Sequence, residues 1–330
     1  MDIPGFVDLQ VNGYRGVDFS SSDLTRERFV FACKELVKAG TVLFLPTVIS
    51  SSEEVYQQNL KLISDVIKET DLKNHIPGIH LEGPFISDVE GASGAHNSKW
   101  IQKPEIQFLD RLMEWSDEKI KLLTIAAELD GSADLCKYAA NLGISVSLGH
   151  HMAGESDLQK LTDSGASLLT HLGNGVPQTI DRHENPIWAG LANDDLSAMI
   201  ITDGHHIPPS VIKTVIRAKG VLNTIVVSDA SPIAGLSPGK YSTLGNEVIL
   251  QESGRLYNPK TGYLVGSSST MIDCMNYLYS LQFLKEKELY DVGFYNPLRS
   301  LNIDSDEIAD RFESRVELHK CFIFFDGSIF

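Results

Sequence analysis

Histidine and carboxylate residues stand at the ends of several short apolar runs in this sequence, where they could bind a metal ion or transfer protons. Three of them are Glu82, His150 and His171, which follow three different runs. Two imidazoles and a carboxylate suit zinc or ferrous iron and leave positions open for water. Asp229 follows a fourth run, and a carboxylate there could take a proton from a metal-bound water and return it to a leaving amine. This combination predicts metal-assisted amide hydrolysis.

Each of these residues also has an ordinary structural explanation. A single His at a strand end more often makes a hydrogen bond, and a Glu before Gly-Pro more often belongs to a turn or an ion pair. We expect structural roles for His151 and His205, because neighbouring residues of an extended chain point to opposite sides. Three further histidines follow no such run and are expected at the surface: His75, His183 and His319. The metal hypothesis gains weight because several candidates fall at one predicted rim.

The elements that would position these residues alternate regularly along the chain. Short β-branched and apolar runs are separated by amphipathic stretches of ten or more residues, which is typical of strand–helix units around a parallel sheet. The predicted strands are 3–11, 41–48, 76–81, 120–126, 144–148, 167–170, 197–201 and 223–227. The predicted helices lie near 23–38, 53–69, 104–115, 132–142, 155–164 and 208–219. Eight strands predict a (β/α)8 barrel, whose active site lies at the C-terminal ends of the strands. Ser22 is the expected N-cap of the first helix, and Gly40 the left-handed residue after it.

The pattern divides the chain into four parts. Residues 1–237 form the predicted barrel. Residues 238–266 contain Gly, Pro, Asn and alternating apolar residues that predict antiparallel hairpins in a small β domain. Residues 267–304, with a helix from 268 to about 285, are expected to pack on the barrel. The tail, 305–330, ends in an apolar run that we expect to add a strand to the small β domain.

Charge and composition exclude several classes of function. The 28 Lys and Arg residues against 44 Asp and Glu give a net charge of −16, which has the wrong sign for non-specific attraction to nucleic acid or anionic membranes. An anionic ligand would therefore need a local cluster of positive groups. The four scattered cysteines indicate neither a disulfide framework nor a Cys-based metal site. With no signal peptide and no apolar run of about 18 residues, we expect a soluble cytoplasmic protein.

Nine ordered segments that carry these candidate residues resemble the N-acetylglucosamine-6-phosphate deacetylases, a branch of the amidohydrolase superfamily. The segments are PGFVDLQVNG (4–13), GTVLFLPTVIS (40–50), GIHLEGPFIS (78–87), GAHN (94–97), VSLGHH (146–151), LLTHLGNGVP (168–177), ITDGHHIPPSVI (201–212), VVSDASPIAG (226–235) and GSSSTMID (266–273). The resemblance implies a metal-dependent hydrolase on a TIM-like barrel with a small β accessory domain. Its expected reaction converts N-acetyl-D-glucosamine 6-phosphate to D-glucosamine 6-phosphate and acetate.

The resemblance also implies roles for individual residues. The ligands of the metal, Zn²⁺ or Fe²⁺, would be Glu82, His150 and His171. Asp229 would be the acid/base, and His96 would contact the sugar and the reacting amide. The His-X-His pair usual on the first strand of the superfamily is replaced by Gln10 and Asn12, so one metal per subunit is expected. These two side chains would complete the floor of the site through hydrogen bonds.

The resemblance further implies how the substrate phosphate is bound. Main-chain groups of Asn174 and Gly175 would hold it, together with Arg182 and His206. In family members the Arg and the His come from the adjacent subunit, which implies a homodimer with shared active sites. An Arg and a protonated His would supply the positive cluster that the acidic composition requires.

Departures from the family keep two alternatives open. The chain begins close to the first strand, so the accessory domain is expected to be reduced. Gly173 and Gly175 stand where an aromatic residue and an Ala are more usual, and a roomier pocket would suit a deacetylase of another N-acetylhexosamine phosphate, of the galactosamine type. The other alternative is a catalytically inactive barrel that binds a sugar phosphate. Asp229 argues against it, because a binding protein needs no acid/base.

Overall fold

Eight parallel strands form the centre of the computed structural model, which describes residues 3–319 and 322–327. In chain order they are β1 (Phe6–Val11), β2 (Thr41–Ile49), β3 (Ile79–Glu82), β4 (Ile120–Ile125), β5 (Ser145–Leu148), β6 (Ala166–Leu169), β7 (Ser197–Ile201) and β8 (Thr224–Val227). Each strand is hydrogen-bonded to the next, and a parallel bridge between Val11 and Ala230 brings the last strand back beside the first. The predicted eight-stranded barrel is confirmed, with strand boundaries that differ by up to three residues.

A helix follows each of the first seven strands. These helices are α1 (Arg26–Lys38), α2 (Glu53–Glu69), α3 (Ile106–Trp115), α4 (Ser132–Asn141), α5 (Glu155–Asp163), α6 (Pro186–Ala192) and α7 (Pro209–Lys219). Because helices cover the outside of the sheet, strands are buried on both faces, and all nine residues of β2 are buried. The parallel strands thus direct their C-terminal ends, with the residues that follow them, to one rim.

Two features of the helices, the N-cap of α1 and the presence of α6, differ from the sequence prediction. The N-cap of α1 is Thr25, whose side chain accepts a hydrogen bond from the Arg28 N–H, so the expectation for Ser22 is wrong. Helix α6 was not predicted, because its apolar pattern is only seven residues long. Asn185 caps it by accepting from two main-chain N–H groups, and Pro186 starts it. The left-handed conformation expected at Gly40 is confirmed by its φ of +89°.

A small antiparallel sheet follows β8, as the hairpin pattern predicted. It consists of β9 (Gly239–Thr243), β10 (Asn246–Leu250) and β11 (Leu256–Tyr257). The sheet has its own apolar cluster, formed by Ile233, Val248, Leu250, Leu256 and Val265. A parallel bridge between Ala230 and Ser267 ties the end of this segment to the end of β8. The small sheet is therefore fixed beside the C-terminal rim of the barrel.

The remaining helices are α8 (Met271–Ser280), α9 (Glu286–Tyr290), α10 (Asn296–Ser300) and α11 (Ser305–Arg311), with a π-helical turn between α9 and α10. Helix α8 is shorter than predicted. Its start is set by a capping box in which Asp273 accepts from the main-chain N–H and the hydroxyl of Thr270. Apolar residues of α8 and α10, such as Met275 and Leu298, belong to the barrel core. None of the helices in the described parts of the chain is long and apolar enough to cross a membrane.

The tail does not extend the small sheet, which corrects our expectation. Within the described residues, β12 (Arg315–Leu318) and β13 (Ile323–Asp326) pair only with each other. The hairpin is instead bonded to the segment before β1 and to α8. The Val316 N–H donates to the Ile3 carbonyl, and the Ile323 N–H donates to the side chain of Asn276 in α8. Cys321, which the sequence prediction included in the last strand, lies outside the described residues.

Candidate metal centre and active site

Glu82, His150 and His171 converge at the C-terminal rim of the barrel from three different strands. Glu82 ends β3, while His150 and His171 follow β5 and β6. The Nε2 atoms of the two imidazoles lie 3.2 and 3.0 Å from Glu82 Oε1 and 3.0 Å from each other. All three side chains are buried, and their donor atoms form a group that could hold one metal ion.

The distances within this group fit a metal ion with tetrahedral coordination. Bonds of about 2.0–2.1 Å at tetrahedral angles hold neighbouring ligand atoms about 3.3 Å apart, close to the separations observed. His150 Nδ1 lies 2.7 Å from the Ala92 carbonyl, to which it donates, so Nε2 is the ring nitrogen that could bind a metal ion once it loses its proton. His171 Nδ1 is buried and has no hydrogen-bond partner among the described residues.

The charges within this group favour an ionised Glu82. Burial raises the pKa of its carboxyl group, but hydrogen bonds from His150 and His171 outweigh it and hold the pKa well below its usual range. Burial lowers the pKa of His171, but the hydrogen bond to Glu82 outweighs burial, so the pKa of His171 is raised above its usual value. A buried anionic oxygen beside two imidazole nitrogens is a donor set for zinc or ferrous iron.

Two amide side chains from the end of β1 form the floor of the site. Gln10 Nε2 donates to Glu82 Oε1 at 2.7 Å, and Asn12 Nδ2 donates to Asp229 Oδ1 at 2.7 Å. The amide oxygens of both side chains are buried without a hydrogen-bond partner in the described structure. Each amide therefore orients one carboxylate.

Asp229 follows β8 and faces the same cavity as the three metal-ligand candidates. Burial, and then the charge of Glu82, raise the pKa of its carboxyl group to about 6. The Ser267 N–H donates to the Asp229 carbonyl, and the Asn12 N–H donates to the carbonyl of the next residue, Ala230. A positioned carboxylate with a pKa near the working pH can accept a proton and return it.

Three of these strand-end residues adopt a backbone conformation that is unfavourable for side chains other than glycine. The φ angles of His150, His171 and Asp229 are +52°, +29° and +48°. Left-handed backbone costs about 1–2 kcal/mol per residue and clusters at functional sites, where the surrounding structure enforces it. In this barrel the enforced turn aims each side chain into the cavity.

His96 reaches the site from the long loop after β3. Its ring centroid lies 4.5 Å from that of His150, and its Nε2 lies 3.8 Å from Glu82 Oε2. Burial, and then the charge of His150, lower the pKa of His96 to about 3, so the ring is neutral at neutral pH. The Ser50 N–H donates to Nδ1, which places the ring proton on Nε2. His96 can therefore donate a hydrogen bond towards the metal-ligand group.

One cavity of about 480 Å³ brings together most of the residues selected from the sequence. Those on its wall are Asn12, Glu82, His96, His150, His171, Asn174, Gly175, His206 and Asp229. Gln10 is fully buried beneath them. Arg182 is exposed and does not line this chain's own cavity. Its carbonyl accepts a hydrogen bond from Trp188 Nε1.

The phosphate-binding candidates thus occupy different positions. His206 lies on the wall of this chain's own cavity, although the family resemblance places it in the partner's site. Asp203 fixes the His206 ring through a 2.7 Å contact with Nδ1 and accepts from the main-chain N–H groups of His205 and His206. The main-chain N–H of Asn174 donates to the His171 carbonyl, which leaves the Gly175 N–H as the candidate main-chain donor for a ligand.

Sequence reasoning missed several residues around the site. Arg255 and Tyr263, from the small sheet segment, line the cavity, and the order of residues along the chain carries no signal of this placement. His80 lies buried in the barrel beneath the ligands, with Nε2 2.8 Å from Thr124 Oγ1. His75, expected at the surface, is instead buried, because its Nδ1 bonds the carbonyl of Val42 in β2 and its ring stacks on Phe312.

Comparisons with known proteins agree on one family. No protein-family model matches the chain. It is 32% identical over 317 residues to N-acetylglucosamine-6-phosphate deacetylase of Danio rerio, a match that covers 91% of this chain and 75% of the relative. It is 30% identical to the Bos taurus enzyme of the same name, over 91% of this chain and 74% of the relative. The crystal structure of the Pasteurella multocida enzyme superposes with a TM-score of 0.82 at 29% identity and covers 92% of this chain and 77% of that one. The chain belongs to the N-acetylglucosamine-6-phosphate deacetylase family.

Proposed function

We propose that this protein is a metal-dependent hydrolase that removes the acetyl group from N-acetyl-D-glucosamine 6-phosphate, giving D-glucosamine 6-phosphate and acetate. The observation that carries the proposal is the convergence of Glu82, His150 and His171 in one cavity with Asp229. Family membership supplies the substrate, and the cavity has a volume suited to a small ligand of this size.

One divalent ion per subunit, Zn²⁺ or Fe²⁺, would be held by Glu82, His150 Nε2 and His171 Nε2. Such an ion polarises a carbonyl group and lowers the pKa of water. Gln10 and Asn12 lack the imidazole nitrogens of a second metal site, and their N–H groups orient carboxylates instead.

The side chains around this site divide the proton transfers between them. Asp229, oriented by Asn12, would accept a proton from the attacking water and pass it to the amide nitrogen, which leaves as an amine. His96 would donate from Nε2 to the carbonyl oxygen as negative charge develops there, since Ser50 fixes its tautomer. Because its ring is neutral, His96 would supply a hydrogen bond to this oxygen and not a positive charge.

For the phosphate, we propose contacts from Gly175 N–H, from His206 and from Arg182. Because Arg182 is exposed outside its own cavity, it would reach the site of a second subunit in a homodimer with shared active sites. We also propose a cytoplasmic location, because Cys33, Cys136 and Cys274 are buried and free and their spacing fits no disulfide framework.

The experiment that tests the proposed function compares acetate release from N-acetyl-D-glucosamine 6-phosphate and its galactosamine epimer. Metal-reconstituted protein should prefer the glucosamine compound, and Asp229→Asn should bind it yet lose activity by about 10²- to 10⁴-fold. Preference for the epimer would establish the galactosamine alternative, for which Gly173 and Gly175 on the cavity wall leave room. Binding of the sugar phosphate without acetate release would establish the inactive binding barrel.

A further inference from the structure

The turn between β10 and β11 of the small sheet lies against the mouth of the barrel. His205 Nε2 donates to the Ser253 carbonyl at 2.8 Å, and Ser268 Oγ donates to the Gly254 carbonyl at 2.6 Å. His205 belongs to the loop after β7, and Ser268 follows the segment that returns to the barrel. The turn is thus fastened to the barrel on two sides, and the next residue, Arg255, lies on the cavity wall.

The Arg255 side chain is held in place but keeps most of its hydrogen-bonding capacity. Its Cζ lies 4.4 Å from the centroid of the Tyr257 ring, and its Nη2 donates to the Gly262 carbonyl at 3.3 Å. No carboxylate of the described residues pairs with it. A guanidinium group has five N–H donors in a planar fork, so an edge remains for a ligand.

The acidic groups on the cavity wall make the position of this cation relevant to the binding of an anionic ligand. Glu82 and Asp229 are acidic groups on its wall, and the chain carries a net charge of −16. These negative charges repel an anionic ligand unless a nearby cation offsets them. Among the described residues, Arg255 is the one Lys or Arg side chain that lines the cavity. Planar guanidinium groups bind phosphate monoesters through two parallel hydrogen bonds.

We propose that Arg255 is a specificity-determining residue of this protein, which binds the phosphate monoester of the substrate from the same subunit that holds Glu82 and Asp229. The small sheet then serves to present a cation to the cavity, and His205 and Tyr257 position it. This inference rests on the proposed function for the identity of the substrate. It adds a cation from the same chain to the contacts that Arg182 would supply from a partner.

The test compares N-acetyl-D-glucosamine 6-phosphate with unphosphorylated N-acetyl-D-glucosamine in steady-state kinetics. Arg255→Ala should raise KM for the phosphorylated sugar about ten- to a hundredfold and change kcat much less, since one charge-assisted contact is lost. Arg255→Lys, which keeps the charge but not the fork, should fall between wild type and Arg255→Ala. Arg217→Ala, at an exposed position in the last turn of α7, is the matched control and should leave the ratio of the two KM values unchanged.

Two kinetic outcomes would overturn the proposal. One is an unchanged KM for the phosphorylated sugar in Arg255→Ala. The other is an equal loss of kcat/KM for both sugars in an Arg255→Ala protein whose circular dichroism and thermal midpoint match the wild type. Losing a contact to the phosphate cannot weaken the binding of a sugar that has no phosphate.

A binding measurement separates this inference from the proposed function. Calorimetric titration with inorganic phosphate and with D-glucosamine 6-phosphate should show binding to the wild type that weakens at least tenfold in Arg255→Ala. If the wild type releases no acetate but shows this difference in binding, the proposed function fails and the anion subsite stands. If the wild type is active and Arg255→Ala binds both compounds as tightly as the wild type does, the subsite fails alone.

Discussion

Replacing Asn12 by Ala should move the pH dependence of activity in a direction that the structure determines. Asn12 Nδ2 donates to Asp229 Oδ1 at 2.7 Å, and this bond stabilises the ionised carboxylate. A hydrogen bond to a charged group is worth about 1.5–3 kcal/mol. At about 1.36 kcal/mol per pKa unit, its loss should raise the pKa of Asp229 by about one to two units above its value of about 6.

The sign of the effect on activity follows from the proposed role of Asp229 as a base. A base works when deprotonated, so the acidic limb of the kcat/KM profile should move to higher pH by about one to two units in Asn12→Ala. Activity should therefore fall about ten- to a hundredfold on the acidic limb and recover towards higher pH. The free energy of unfolding should change little, because the substitution also removes the buried, unpaired Oδ1 of Asn12.

The assay is acetate release measured from about pH 5 to pH 9 for the wild type and the variant. Asn59→Ala provides the matched control. Asn59 is a buried Asn in α2 that donates to the carbonyls of Phe19 and Ser21, so its loss should lower stability without moving the acidic limb. A limb that stays in place, or moves to lower pH, in Asn12→Ala would refute the assignment of Asp229 as the base.

Three further predictions concern the proposed metal ligands, the proposed subunit interface and the stability of the barrel. His171→Ala removes one of the three candidate ligands, so elemental analysis should find little bound metal and acetate release should cease; full occupancy in this variant would contradict the ligand set. Heterodimers of Asp229→Asn and Arg182→Ala chains should regain activity through the site that combines the intact Asp229 of one chain with the intact Arg182 of the other, and inactive verified heterodimers would contradict shared sites. Asn185→Ala should lower the free energy of unfolding by about 1–2 kcal/mol in denaturant titrations, since its side chain caps α6. The exposed Asn141→Ala at the end of α4 should change it by less than about 0.5 kcal/mol, and equal effects would contradict the capping role.

The barrel could be predicted from the sequence because its strands and most of its helices carry their signal locally. A strand such as β2 is buried on both faces and appears as a continuous apolar run, while α2 shows helical periodicity over 17 residues. Helix α6 offered too few residues for such a pattern. The tail hairpin was misplaced because its partners, Ile3 and Asn276, are distant in sequence and became neighbours only through the fold.

The same distinction explains what could be predicted of the site. Glu82, His150, His171 and Asp229 could be selected because the C-terminal ends of parallel strands meet at one rim, which is a property of the fold class. Arg255 could not, because its position depends on how the small sheet packs on the barrel. The surface expectation for His75 failed for a similar reason, since its partner in β2 belongs to a different strand–helix unit.

The most direct test of the account is a metal titration of metal-free protein that follows acetate release from N-acetyl-D-glucosamine 6-phosphate. With Zn²⁺ or Fe²⁺, activity should rise linearly and reach its maximum at one equivalent per chain, because Glu82, His150 and His171 form one ligand group. No acetate release at any metal content, or a maximum at two tightly bound equivalents, would contradict the account.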